Sequence, residues 1–313
     1  MTAGALSDTE LFQTGRGFMG VPWGVPGTPS AAGAKAAILG VPFDCGTHPT
    51  RIGAREGPPA IREQSKLVRA FESEVADYDI REALKLVDCG DVALTPSRIV
   101  EAFERIEEAG RRIIEAGATP VGFGGDGSIS LPLVRAAARK WNDLCVLHVD
   151  SHTDCHQVNP QHPYDSATQF SHTALEQRIS ASASYHVGIR GSTYRGGVME
   201  HTRSLGYNII TMRDYVRRGE ADVLAELHAA MAGRPVYLSW DMDVFDPSVA
   251  PGVCTPTWGG FTAREGLQLL RGLAGLDIVA LDINTVSPAQ DVNGLAAHLA
   301  AYLAYEGLLL LAR

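Results

Sequence analysis

The chain has 313 residues, 45% of them hydrophobic, and a formal net charge of −9. That is material for one large or two ordinary domains, and its acidic balance argues against nucleic acid or an anionic membrane as a main partner. No apolar run approaches membrane length, Leu308–Ala312 included, and no basic-then-apolar signal peptide opens the chain. Five scattered cysteines (Cys45, Cys89, Cys145, Cys155, Cys254) without a C-x-x-C read as reduced thiols of a cytoplasmic protein rather than a disulfide frame.

Residues 1–35 are rich in Gly, Pro, Ser and Thr and lack periodicity. They read as an N-terminal arm, with Phe12, Phe18, Val21 and Trp23 favouring one that docks, ahead of a single domain over 36–313. Ala36–Phe43 reads as the first core strand. The Gly- and Pro-dense loop that follows leads to Pro58-Pro59, where a helix can begin. Arg51 and Arg55 in this loop suit an anionic group, but such arginines more often pair with carboxylates of the same fold or a neighbouring subunit, and that reading is favoured.

Leu86–Val92 reads as a short strand and turn, residues 97–116 as an amphipathic helix. Ala118–Phe123 is a strand feeding the glycine-rich turn Gly124-Gly-Asp126-Gly127-Ser128 and a helix near Leu131. The turn lacks the G-x-x-x-x-G-K of a phosphate loop. Residues 155–175 read as a polar loop carrying His156, His162 and His172. Ala183–Arg190 and Tyr207–Thr211 are strands, and residues 220–231 a helix. Residues 262–273 form another, with Thr262 and Glu265 spaced as a capping box. Ile278–Asn284 is the last core strand and 291–311 the last helix. This alternation predicts one parallel sheet covered on both faces.

Two stretches carry chemistry. In Val146-Leu-His-Val-Asp150-Ser-His152-Thr-Asp154 an apolar strand turns abruptly polar. If the backbone stays extended, Asp150, His152 and Asp154 share one face at the carboxyl end of a strand, where open α/β sheets place ligands. In Leu238-Ser-Trp-Asp241-Met-Asp243-Val-Phe-Asp246-Pro247, Asp241 and Asp243 repeat the pattern, and Asp246-Pro247 starts a turn. Carboxylates and an imidazole from two strand ends suit two hard or borderline cations that deprotonate a shared water. A solvated strand-to-loop turn is the plainer alternative for the first stretch.

From Gly40 to Pro288 these motifs resemble the ureohydrolase (arginase and agmatinase) superfamily, in its agmatinase-like branch. Gly40-Val-Pro-Phe-Asp44, Gly57-Pro58 and Ile61-Arg62 are similar to that branch. Asp150–Asp154 resembles the family's D-A-H-x-D, and Ser239–Pro247 with Pro251-Gly252 resembles its S-x-D-x-D-x-x-D-P and P-G. The resemblance implies a three-layer α/β/α fold around an eight-stranded parallel sheet. It also implies a two-metal site of manganese or, in some members, nickel, with water attacking a guanidinium carbon to release urea and an amine.

Three positions depart from the family. Its glycine-rich turn reads G-G-D-H-S, with the His on the first metal; here that position is Gly127. Its H-G-T-x-F, whose His is thought to shuttle protons, corresponds to Ser166-Ala-Thr-Gln-Phe170, which puts Ser166 at the His. Its D-V-V-E-V-x-P, whose Glu holds the guanidinium, corresponds to Asp282–Pro288, which puts Thr285 at the Glu. By analogy Asp150, His152, Asp241 and Asp243 keep the second metal site, while the first retains Asp150, Asp154 and Asp241. A lost ligand weakens a metal at least as much as a lost supporting residue, roughly 10–100-fold. A lost carboxylate clamp costs roughly 1.5–3 kcal/mol, and a lost proton shuttle roughly 10²–10⁴-fold in rate.

Three readings follow. The first is a catalytically degenerate subunit with at most one manganese or nickel ion per chain. It would assemble with an active paralogue in a trimer- or hexamer-type oligomer, as in metformin-hydrolase-type heteromers, that cleaves a small guanidino substrate. The second is an active guanidino-compound hydrolase with a remodelled site that takes its substrate without the usual Glu clamp, with His156 and His172 as candidates to replace the lost ligand. The third is a binding protein on the same fold.

Overall fold

The computed structural model describes residues 12–13, 17–46, 48, 50–72 and 74–312. The strands are β1 (Phe12–Gln13), β2 (Ala36–Gly40), β3 (Val87–Val92), β4 (Thr119–Phe123), β5 (Cys145–Val149), β6 (Tyr185–Ile189), β7 (Asn208–Thr211), β8 (Pro235–Asp241) and β9 (Asp277–Asn284). They form one sheet in the order β1-β3-β2-β4-β9-β8-β5-β6-β7. Strands β2 to β9 pair in parallel, the eight-stranded sheet that the resemblance implies, and β1 adds a two-residue antiparallel edge on β3.

The helices are α1 (Gly57–Gln64), α2 (Ile80–Ala83), α3 (Ile99–Glu115), α4 (Ser130–Ala138), α5 (Gln169–Leu175), α6 (Val198–Ser204), α7 (Met212–Arg218), α8 (Glu220–Met231), α9 (Ala263–Gly272) and α10 (Leu295–Leu311). Strand alternation sorts side chains onto two faces, so Ile38 joins a core with Ile61, Leu227, Leu269 and Leu303, from α1, α8, α9 and α10. Its neighbour Leu39 joins a second core with Ile106, Leu133 and Phe170, from α3, α4 and α5. Both faces of the sheet are covered, which is why the strands read as continuous apolar runs. Among the described residues no helix is long and apolar enough to cross a membrane.

Local signals act where expected. Pro58-Pro59 opens α1, and Thr262 and Glu265 make both bonds of a capping box on α9. The arm between residues 17 and 35 lies on the fold. Phe18 is fully buried and packs on Phe123, with ring centroids 5.0 Å apart, and Trp23 lies with its centroid 6.0 Å from the Arg62 guanidinium. The Phe12 side chain lies outside the described residues. One expectation needs correcting: residues 155–175 are not all loop, because α5 begins at Gln169 and buries Phe170 beneath His148. Its polar flank hid it, since Gln169, Ser171 and Thr173 are buried although polar.

The sheet order builds the site. Val149 pairs with Trp240, so Asp150 and Asp241 leave neighbouring strands side by side. Asp241 pairs with Asn284, so Thr285 follows next to it, and Phe123 pairs with Ile283, so the glycine-rich turn comes next. Because β4 and β5 are consecutive in the chain but separated by β9 and β8, a crevice opens at these carboxyl ends. Gly125 lets the turn close there, as a Cβ on it would lie 2.0 Å from Phe43 O.

Candidate metal centre

The pocket above β4, β9, β8 and β5 includes Asp154, Asp241 and Asp243, with Gly127, Ser166 and Thr285 in its wall. The backbone does not stay extended past β5. It bends at Ser151, and Asp154 adopts a left-handed φ of 49°. Asp150, His152 and Asp154 thus approach one another through a turn rather than along one strand face.

Two ligand groups that share Asp150 are assembled, and the ligand atoms of one, His148, Asp150 and Asp154, lie within 4.8 Å of one another. Those of the other, Asp150, His152 and Asp243, likewise lie within 4.8 Å of one another. His152 Nδ1 is 3.1 Å from Asp243 Oδ2 and 3.4 Å from Asp150 Oδ1. Ser151 Oγ donates to Asp243 Oδ1 at 2.7 Å, and His152 N–H donates to Asp150 Oδ1 at 2.6 Å. Asp241 stands beside them, its Oδ1 accepting the Asp243 N–H at 2.7 Å and the Thr285 hydroxyl.

Burial and the neighbouring Asp243 push Asp150 up to about 7, and burial with the adjoining carboxylates raises Asp154 and Asp241 well above their usual range. Burial acts on Asp243 too, but the His152 imidazole beside it holds it low. Buried carboxylates crowded around one imidazole are poorly accommodated unless protons or a cation offset their charge. Two carboxylates and a ring nitrogen are a suitable donor set for a divalent ion.

Two residues that the sequence reading did not single out belong to these surroundings, His148 as a member of the group with Asp150 and Asp154. His148, two residues before Asp150 on the same strand face, places Nε2 2.9 Å from Asp150 Oδ2 in a contact too bent for a hydrogen bond. Its Nδ1 is 2.9 Å from His186 Nδ1, and His186 Nε2 is 3.6 Å from Cys155 Sγ. Burial lowers His148 to about 3, so both rings are neutral behind the carboxylate. The signal was available: alternation puts residue 148 on the side of Asp150. The other is Gln169, whose Nε2 donates to Asp154 Oδ2.

Neither His156 nor His172 joins a ligand group among the described residues. His172 Nε2 is held 2.7 Å from Pro163 O. Arg55 pairs with Asp44, as expected of it. Among the described residues Arg51 takes no carboxylate: its guanidinium donates to Pro251 O and Val253 O and holds the P-G loop against the pocket wall. Asp246 accepts Ser248 N–H at 3.0 Å and Gly259 N–H at 2.8 Å, a turn role.

Residues 34–310 match the arginase family. The chain is 36% identical over 300 residues to guanidinopropionase from Pseudomonas aeruginosa, which spans 94% of this chain and 93% of that relative. It is 36% identical over 309 residues to agmatinase from Edwardsiella ictaluri, covering 98% of this chain and 97% of the other. Among solved structures, proclavaminate amidino hydrolase from Streptomyces clavuligerus is similar with a TM-score of 0.89 and 32% identity, over 96% of this chain and 98% of that one.

Proposed function

The chain belongs to the arginase family, and from that premise we propose that it is a subunit holding one divalent cation, weak or inactive alone, that supports an active paralogue in hydrolysing a guanidino compound. Asp150, His152 and Asp243 hold the ion, with Asp241 completing the set. Bound there, manganese or nickel would polarise a water. The family's dependence on divalent metal and the group of Asp150, His152 and Asp243 support a bound cation.

The observation that carries the proposal is Thr285 in the pocket wall, at the position where the resemblance expects the Glu that holds a guanidinium. Asp44 takes Arg55, and Asp126 takes Ser128 and the Cys45 N–H. Asp154 takes Gln169, Asp241 takes Thr285, and Asp243 takes Ser151 and lies against His152. Thr285 brings no carboxylate of its own, and among the described residues the pocket's aspartates each already accept at least one bond from within the chain. A cationic substrate therefore lacks, at position 285, the charge-assisted partner that would orient it.

A second reading, an active hydrolase with a remodelled site, draws on the pocket itself, which still gathers His48, His152 and Asp154. Urea release separates the two. The purified chain should release little or no urea from agmatine, guanidinobutyrate or arginine, and mixing with a catalytic paralogue should form a larger species by light scattering and change that paralogue's rate. Turnover by the chain alone near ~10 s⁻¹ would favour the second reading.

A further inference from the structure

Gly127 and Gln169 contend for one volume. A Cβ built on Gly127 would lie 2.6 Å from Gln169 Nε2, 3.1 Å from Asp154 Oδ2 and 3.5 Å from Ser166 O. The space that a side chain at 127 would enter is filled by an amide reaching in from the first residue of α5. Gln169 is 1% exposed, and its Nε2 donates to Asp154 Oδ2. The next residue, Phe170, donates its backbone N–H to Asp154 O at 3.2 Å, so the start of α5 grips Asp154 at both side chain and main chain.

The other end of the amide is unsatisfied: Gln169 Oε1 is buried without a hydrogen-bond partner. An orphaned oxygen in a packed interior is costly, and a methionine of similar length would fill the space without it. What glutamine adds over methionine is the N–H on Asp154.

We propose that Gln169 stands in for the first cation: its amide N–H holds the Asp154 oxygen that such an ion would hold, and its bulk closes the space an imidazole at 127 needs. This rests on the one-cation reading. It makes the reduction to one ion a paired feature of positions 127 and 169, so that restoring a ligand at 127 is not sufficient. Gln169 is on this account a positioning residue for Asp154.

The test compares the full chain with Gly127→His, Gln169→Ala, the double variant and Gln169→Met. Manganese per chain is measured by equilibrium dialysis with elemental analysis, coupled manganese pairs by electron paramagnetic resonance, and unfolding by calorimetry. Gly127→His alone should bind one ion and unfold at a lower temperature, because its ring collides with the amide. The double variant should bind a second ion at least tenfold more tightly than either single variant and show a coupled-pair spectrum. Gln169→Met should keep one ion but lose several degrees of midpoint without metal. An unaltered chain that holds two ions would sink the one-cation reading and this proposal together. One ion on the unaltered chain, with Gly127→His gaining the second as readily as the double variant, would sink this proposal alone. So would a double variant that gains none, or an unchanged midpoint in Gln169→Met.

Discussion

Thr285 Oγ1 donates its hydroxyl to Asp241 Oδ1, joining the end of β9 to the end of β8. Thr285 does so from a left-handed backbone, φ 62°, which a β-branched residue adopts only when its surroundings impose it. The surroundings here are specific. Its N–H donates to Gly125 O at 2.7 Å, which ties it to the glycine-rich turn.

That bond should be measurable. Thr285→Val removes the hydroxyl at nearly constant volume and leaves Asp241 Oδ1 short of one donor. We expect a loss of about 1–3 kcal/mol in urea unfolding of the metal-free chain, and a smaller loss with manganese present, because a cation compensates the carboxylate. An equal loss in both conditions would mean that Asp241 does not face the ion.

Arg62 anchors the other side of the sheet. It is 2% exposed, and its Nε and Nη2 donate to Asp88 Oδ2 and Oδ1 at 2.8 and 2.9 Å, with further bonds to Gly90 O and Asp91. Asp88 Oδ2 in turn accepts the Phe18 N–H at 2.8 Å, so the pair also fastens the arm. Arg62→Met should strip the buried Asp88 of its counter-charge and cost about 3–5 kcal/mol, read as a lower urea midpoint. A change under ~1 kcal/mol would show that the ion pair is dispensable.

Asp282 gives a pH signature. Burial raises it to about 6, although Tyr237, Asn284, Ser130 and Ser239 donate to its oxygens. Its folded-state pKa lies above the unfolded one, so its contribution is fully present below the unfolded value and is lost as pH rises through about 6. Over that window the folded chain should lose on the order of 3 kcal/mol through this group. Asp282→Asn should remove that slope, so the stability gap between the two proteins should vary with pH between about 4 and 6. A constant gap would contradict the assignment.

Much of the architecture was legible because its signals are local and repeated. Apolar runs gave the parallel strands, 3.6-residue spacing gave α3, and Thr262 with Glu265 gave the start of α9. The ligand-bearing stretches were legible because acids and His152 follow strands abruptly. What was not legible depends on contacts distant in the chain. The commitments of Asp44, Asp126 and Asp241 are made by residues up to 81 positions away. The α5 start was hidden because its buried residues are polar. Gln169 was passed over because the motif specifies nothing at its position, and only the Cβ geometry at Gly127 shows that the two residues meet.

The most direct measurement is the divalent metal content of the purified chain after dialysis against trace manganese or nickel, repeated on Asp243→Asn. The account predicts one tightly held ion per chain, lost in the variant, with a thermal midpoint that rises with manganese only in the unaltered protein; saturation at a hundred times the dissociation constant should add about 2.7 kcal/mol. Two tightly held ions per chain, or a single ion unaffected by Asp243→Asn, would contradict it.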